Sequence, residues 1–346
     1  MDVRPSGYEE LTNFFVGGRK QKQARFKSFY ALCTAAINII EAFRALHNNG
    51  YSYQDINNGN FFINPEGDVL ICDNDNVSPF GTNLGIMGKQ RWMAPEIVMG
   101  KNDPDKNSDR FSLAVVLFRL LFINHPLEGR YSTPPCMTKE LEQKYYGSAP
   151  IFVYDPTTSE NRPIPGTDHN LKLFWNVYPD YVKDAFIRAF SHDVMMKQKP
   201  RILEKEWMDI FIRLRTEIGR CPYCGQETFY TFKGSHDIPC MECGKKIPIT
   251  NALQIKNQIL PIFPGLKISL WTVDSSLEDI RTQVAEVVKN PKDPRLLGLR
   301  NLSQRTWSVN LPDGSQRPLP PQQVVPVRAG FEIHFLGGTN DSGIIK

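Results

Sequence analysis

Two sets of residues have the types and spacing of groups that do chemistry. The first is a carboxylate, a carboxamide and a second carboxylate. Asp55 lies in Tyr53-Gln54-Asp55-Ile56-Asn57-Asn58-Gly59-Asn60-Phe61-Phe62, Asn60 follows five residues later, and Asp73 stands thirteen beyond that in Val69-Leu70-Ile71-Cys72-Asp73-Asn74-Asp75. Each is flanked by apolar, β-rich runs that suit a strand end holding a polar group. Any one of the three alone reads equally well as a turn residue, because Asn and Asp cap strands and tolerate left-handed backbone; the ordered set is harder to explain that way. The second set is Cys221-Pro222-Tyr223-Cys224 and Cys240-Met241-Glu242-Cys243, two pairs with 15 residues between them. Two such knuckles supply four thiolates for tetrahedral Zn²⁺. With Cys at all four positions no site stays open for catalysis, so the metal is expected to be structural, holding a segment too small to hold itself. A redox dithiol and an iron–sulfur site are the weaker competitors.

These residues need elements to position them. From Phe26 to His47 the apolar residues Phe29, Leu32, Ala36, Ile39, Ile40, Phe43 and Leu46 fall at helical spacing, with Gly50 as a stop. A second helix opens at Asp109 and is apolar almost without a break from Phe111 to Phe122, which predicts burial on all sides. Helical patterning returns from Pro179 to Phe190. The Pro- and Gly-rich stretch between His125 and Trp175 is expected to be an ordered surface loop, and Lys20, Lys22, Arg25 and Lys27 a solvated helix start. Phe229-Tyr230-Thr231-Phe232 provides a strand between the cysteine pairs, so a zinc ribbon is expected. After Asn251 short apolar runs at 258–260, 266–271, 307–309, 324–327 and 331–335 alternate with turns such as Asp313-Gly314, the pattern of a small all-β sandwich.

The chain has 346 residues, 41% hydrophobic and 23% charged, which suits two or three globular domains. A net charge of +4 with scattered Lys and Arg gives no basis for a nucleic-acid or membrane partner. No run is read as approaching the roughly 18 apolar residues of a membrane span, and the N-terminal residues lack a signal-peptide core. A cytoplasmic protein is expected, with Cys33, Cys72 and Cys136 as buried reduced thiols.

The order Asp-x-x-x-x-Asn, short hairpin, Asp resembles the catalytic and metal-binding loops of eukaryotic-type protein kinases. Gly88-Lys89-Gln90-Arg91-Trp92-Met93-Ala94-Pro95-Glu96 is similar to the end of an activation segment, and the Asp109 helix to the central helix of the kinase C-lobe. The resemblance covers about residues 1 to 215 and is to bacterial eukaryotic-like Ser/Thr protein kinases. It implies a mainly α-helical kinase-like C-lobe over 1–215; the cysteine pairs and the apolar runs after them read as a zinc ribbon over 216–250 and an all-β domain over 251–346. It also implies ATP, Mg²⁺ and a protein substrate. Asp55 would orient the attacking hydroxyl, Asn60 and Asp73 would supply the hard oxygen ligands Mg²⁺ needs, and Phe62 would lie under the adenine. Asp109 would accept N–H bonds from the catalytic loop, and Arg201 would pair with Glu96. The last domain resembles forkhead-associated-type sandwiches without their phosphothreonine-binding residues; a phosphatase or signalling protein is the kind of partner it implies.

The departures are as informative. Tyr53 and Gln54 replace the His and Arg of the catalytic loop, so control by an activation-segment phosphate is not expected. Asn57 stands where Ser/Thr kinases carry a lysine, and Asn74-Asp75 replace Phe-Gly after the metal-binding Asp. Met1 to Leu11 resembles a hinge, and no G-x-G-x-x-G or V-A-I-K-like segment occurs anywhere in the sequence. The expectation is a C-lobe without its N-lobe: a truncated frame, a lobe supplied by a partner, or a non-catalytic descendant. A kinase-like scaffold is thus the alternative function, and nucleic-acid binding through the ribbon a third reading.

Overall fold

Ser28 caps the first long helix by accepting the Ala31 N–H at 3.0 Å, and the chain leaves that helix through Gly50 at φ +85°, a left-handed conformation that glycine adopts without steric cost. The structure, a computed structural model, describes residues 5–15, 24–82, 84–85, 88–232, 237–336 and 341–346. The first residues of the hinge-like stretch, and Lys20 and Lys22 of the basic run, lie outside them. The chain divides into two units, Met1–Phe211 and Ile212–Lys346.

The first unit runs β1 (Glu9–Glu10), α1 (Thr12–Phe15), α2 (Phe29–Asn48), β2 (Tyr51–Ser52), β3 (Phe61–Ile63), β4 (Val69–Ile71), β5 (Ser78–Pro79), α3 (Pro95–Val98), α4 (Lys106–Phe122), α5 (Lys139–Gln143), α6 (His169–Val177), α7 (Asp180–Ala189), α8 (His192–Met195) and into α9 (Glu204–Thr216). Helix α4 is its axis and packs on α2, α6 and α7. It begins three residues before Asp109, because Asp105 accepts the Asn107 and Ser108 N–H groups while Ser108 closes a reciprocal cap. Phe118 and Phe122 on α4 meet Phe186 of α7 edge to face at 5.3 and 5.7 Å. Each such side chain contributes roughly 1.5–3 kcal/mol by leaving water. Helix α2 is, by length and composition, apolar enough to cross a membrane, contrary to the sequence expectation, but Ile37, Ile39, Ile40 and Phe43 are buried in this core.

The stretch 125–175 is not a surface loop. Leu127, Tyr146, Phe152, Val153 and Asn161 are each at most 2% exposed. The Asn161 amide donates to the carbonyls of Leu127 and Ile151 at 2.9 and 2.6 Å, and its oxygen accepts from the Tyr131 N–H at 3.1 Å. Pro and Gly mark its turns, but its aromatic residues carry it inward.

Arg201 and Glu96 form a two-pronged ion pair at 2.8 and 2.7 Å, buried on both sides, and Arg201 also donates to the Asn107 carbonyl at 2.8 Å. It joins the turn after α8 to α3 and to the start of α4. Replacing Arg201 with Ala strands a buried carboxylate, and breaking such a pair costs about 3–5 kcal/mol. We expect the melting temperature to fall on the order of 10 °C, measurable by calorimetry; a shift below about 2 °C would contradict that assignment.

The second unit holds two cysteine hairpins, β6 (Ile218–Arg220) with β7 (Glu227–Phe229) and β8 (Asp237–Pro239) with β9 (Lys246–Pro248). After them come β10 (Ala252–Ile255), β11 (Gln258–Pro261), β12 (Lys267–Ser269), α10 (Leu270–Val273), β13 (Gln283–Lys289), β14 (Leu297–Asn301), β15 (Trp307–Asn310), β16 (Gln316–Leu319), β17 (Val324–Pro326), β18 (Glu332–His334) and β19 (Ser342–Ile345). They form a six-stranded sheet, β11-β10-β19-β18-β15-β16, and a four-stranded sheet, β12-β13-β14-β17. Every strand pair is antiparallel. Ile255, Val309 and Ile333 of the first sheet share one hydrophobic core with Ile268, Val287 and Leu299 of the second, and Ile238 and Ile247 of the hairpins belong to the same core. Cys33 is buried as expected, whereas Cys72 and Cys136 are exposed, correcting that reading; no disulfide occurs among the described residues.

Candidate active site and metal centre

The site lies between the loop after β2 and the loop after β4. Asp109, at the start of α4, accepts the Tyr53 N–H at 2.8 Å and the Gln54 N–H at 3.3 Å, as the sequence resemblance implied. Asp109 is in turn fixed by His47, whose Nε2 lies 3.1 Å from Asp109 Oδ2 and whose Nδ1 lies 2.8 Å from Glu204 Oε1. Burial disfavours the charged imidazole, yet hydrogen bonds and charge from Asp109 and Glu204 outweigh it and raise the His47 pKa. Burial acts upward on Glu204 also, but hydrogen bonds from His47 and Arg110 bring it down to about 2. The loop carrying Asp55 thus rests on a hydrogen-bonded network of Asp109, His47, Glu204 and Arg110.

Asp55 is half-buried. Its backbone carbonyl accepts the Asn60 amide at 3.0 Å, so the Asn60 nitrogen is committed to the loop and its oxygen is the atom suited to a hard cation. The Asn60 carbonyl accepts the Cys72 N–H at 2.9 Å, and the Tyr53 hydroxyl donates to the Cys72 carbonyl. Burial, with Asp73 and Asp55 nearby, pushes the Tyr53 phenol pKa well above its ordinary range, so it stays a donor. These ties bring Asp55, Asn60 and the residue before Asp73 together. Asp73 is exposed in the left-handed region at φ 64° and ψ 53°, a conformation Asp tolerates better than most residues. Asn76 donates to one of its oxygens at 2.7 Å. Phe62 lies on β3, half-buried and paired with Glu10 of β1 and Leu70 of β4. The β3–β4 turn is pressed onto α2 at Gly67, where a Cβ would fall 2.2 Å from the Ala31 carbonyl oxygen.

The two residues that break the kinase pattern have definite work. Gln54, 5% exposed and at φ 62°, donates to the Thr82 carbonyl at 2.7 Å and to Ser78, holding the segment after Asp73 with uncharged bonds. Asn57 turns inward, its amide donating to the Asp55 carbonyl at 3.2 Å and its oxygen accepting the Gly59 N–H at 2.9 Å. Sequence reasoning missed Lys89, whose backbone N–H donates to Asp55 Oδ1 at 2.9 Å and whose ammonium meets Asn58 Oδ1 at 3.3 Å. Thirty-four residues separate Lys89 from Asp55, and no local pattern announces the pairing.

In the second unit, the Sγ atoms of Cys221, Cys224, Cys240 and Cys243 all lie within 4.8 Å of one another. Cys221 and Cys243 are 3.9 Å apart, and Cys224 and Cys240 3.7 Å. A tetrahedron of thiolates at about 2.3 Å from Zn²⁺ has edges of about 3.8 Å, so the cluster has the size of that coordination sphere. Each knuckle is shaped by its glycine: Gly225 donates to the Cys221 carbonyl and Gly244 to the Cys240 carbonyl, both at 2.9 Å.

An Asp–Asn–Asp order on a helical lobe, buttressed by a carboxylate at the head of its central helix, is the arrangement that the kinase resemblance implies. Comparison with known families agrees: residues 14–164 match the protein kinase domain. Protein kinase YegI of Escherichia coli (strain K12) is 23% identical over 232 residues, covering 64% of this chain and 34% of that protein. Serine/threonine-protein kinase STY46 of Arabidopsis thaliana is 31% identical over 132 residues, 36% of this chain and 22% of that protein. Serine/threonine-protein kinase sck2 of Schizosaccharomyces pombe is 28% identical over 118 residues, 32% and 18% respectively. The match to YegI spans about a third of that protein's length.

Proposed function

We propose that this chain transfers the γ-phosphoryl group of ATP to a Ser or Thr hydroxyl of a protein. The observation that carries the reading is the tie of Asp55, Asn60 and the Asp73 loop through Tyr53 and Cys72. In the transfer, the bond from Pγ to the β,γ-bridging oxygen breaks and its electron pair leaves with ADP. The bond from the hydroxyl oxygen to Pγ forms, and the hydroxyl proton passes to the Asp55 carboxylate. Asn60 and Asp73 would hold Mg²⁺, which neutralises phosphate oxygens when bound. Phe62 would floor the adenine pocket. Among the described residues none forms a Gly-rich phosphate loop or a strand lysine over the site. The reading assigns that half to an upper lobe supplied by a further segment or by a partner chain.

The four thiolates are read as a structural zinc site, and the β-rich sheets as an interaction module for a phosphatase or signalling partner. The reduced cysteines suit a cytoplasmic setting. A non-catalytic, nucleotide-binding scaffold is the second reading, favoured by the uncharged Gln54 and the inward-turned Asn57. Asp55→Asn separates the two. Under the kinase reading, transfer to protein hydroxyls, followed by mass spectrometry, falls on the order of 10²–10⁴-fold while Mg·ATP affinity stays. Equal phosphate incorporation by the variant and the parent would exclude Asp55 from the chemistry.

A further inference from the structure

The loop Asp55-Ile56-Asn57-Asn58-Gly59-Asn60 contains no cation, and Asn57, 5% exposed, spends both ends of its amide on the loop backbone. Phosphoryl transfer spreads negative charge over three equatorial oxygens, and a fixed cation beside them lowers the barrier. Lys89 brings one. Its backbone N–H holds Asp55 Oδ1 at 2.9 Å, which sets its Cα beside the carboxylate that orients the acceptor. Its side chain folds along the loop to Asn58 Oδ1 at 3.3 Å, and Asn58 is itself braced by a hydrogen bond to Thr12 of α1. An ammonium has three donors, and this contact uses one. The residue is exposed.

We infer that Lys89 is a phosphate-binding residue of this site, its ammonium contacting the γ-phosphoryl oxygens of ATP and supplying from the activation segment the positive charge that the loop lacks at Asn57. The inference rests on the kinase reading above. The lysine stays protonated throughout and takes no part in the proton's path to Asp55. Because Asp55 is held by the Lys89 backbone, Lys89→Met removes the charge and leaves that hydrogen bond in place.

The test is steady-state release of radiolabelled γ-phosphate from Mg·ATP, to water or to the protein's own hydroxyls. It compares the protein purified from its native source, with the segment or partner that supplies its upper lobe, with its Lys89→Met, Lys89→Arg and Asp73→Ala variants. For Lys89→Met, kcat is expected to fall about 100-fold, as when one donor to a developing charge is removed, with KM for ATP within about threefold. Lys89→Arg restores the rate to within about tenfold of the parent, since charge is kept and geometry altered. A Lys89→Met rate within twofold of the parent, with Asp73→Ala inactive, overturns the role of Lys89 and leaves the kinase reading standing. A parent protein that releases no more phosphate than Asp73→Ala overturns both.

Discussion

Replacing Asp73 with Ala is expected to remove Mg·ATP-dependent phosphoryl transfer, lowering the rate on the order of 10³-fold or more. That corresponds to the several kcal/mol a phosphate-bridging cation supplies, at 1.36 kcal/mol per factor of ten. The carboxylate is exposed and sits at φ 64° immediately after Cys72, the residue tied to both Tyr53 and Asn60. It is therefore placed by its neighbours and contributes little of its own packing. Ala at this left-handed position adds strain of order 1 kcal/mol, too small to unfold the lobe, so lost transfer with a nearly unchanged melting temperature isolates the chemical role. Asp73→Asn keeps an oxygen ligand but lowers the charge and should fall between the two. Activity retained in Asp73→Ala would remove the metal-holding role from this residue.

Stripping the thiolate site is the second large effect. The hairpins β6–β7 and β8–β9 have strands of three residues, too short to persist alone in water. Binding of structural zinc by comparable small motifs is worth roughly 10–16 kcal/mol, against a total domain stability of about 5–15 kcal/mol. Chelation, or Cys221→Ser, should therefore melt residues 218–249. Because Ile238 and Ile247 share the core of the two β-sheets, the sheets should lose stability with them. The checks are metal analysis, expecting one Zn²⁺ per chain, and amide exchange, expecting protection at β6–β9 to vanish after chelation. A protein that purifies without metal, or keeps its protection once stripped, would contradict a structural zinc.

How much of this was legible in the sequence depends on the range of the interactions. The helices α2, α4 and α7 could be read from apolar spacing, which is a local signal. The start of α4 lies three residues before the expected Asp109, because the Asp105–Ser108 cap sits in a polar run that has the look of a turn. In the second unit, the strand expected to continue through Trp271 stops at Ser269, whose hydroxyl caps the short helix Leu270–Val273 by accepting the Thr272 N–H. β10, β13, β16 and β19 fall outside the apolar runs that the sequence shows. The misreading of 125–175 came from treating Pro and Gly as marks of exposure, when Phe152 stacks on Phe190 at 5.3 Å and Tyr154 on Trp175 at 3.9 Å.

The candidate site divides in the same way. The spacing of Asp55, Asn60 and Asp73 and that of the four cysteines were visible because each set is nearly contiguous. The work of Gln54, Asn57 and Lys89 was not, since it depends on which segment the fold lays against the loop. Gln54 read as a lost cation, and three-dimensional contact shows an uncharged clamp on Ser78 and Thr82.

The decisive measurement is calorimetric titration of ATP into the native protein, with the segment or partner that supplies its upper lobe, in buffer with Mg²⁺ and in Mg²⁺-free buffer without chelator, so that the thiolate site is untouched. If Asn60 and Asp73 hold a phosphate-bridging cation, Mg²⁺ tightens ATP binding at least about tenfold, roughly 1.4 kcal/mol, and the gain disappears in Asp73→Ala. Equal affinities with and without Mg²⁺, or no ATP binding under either condition, would contradict the account.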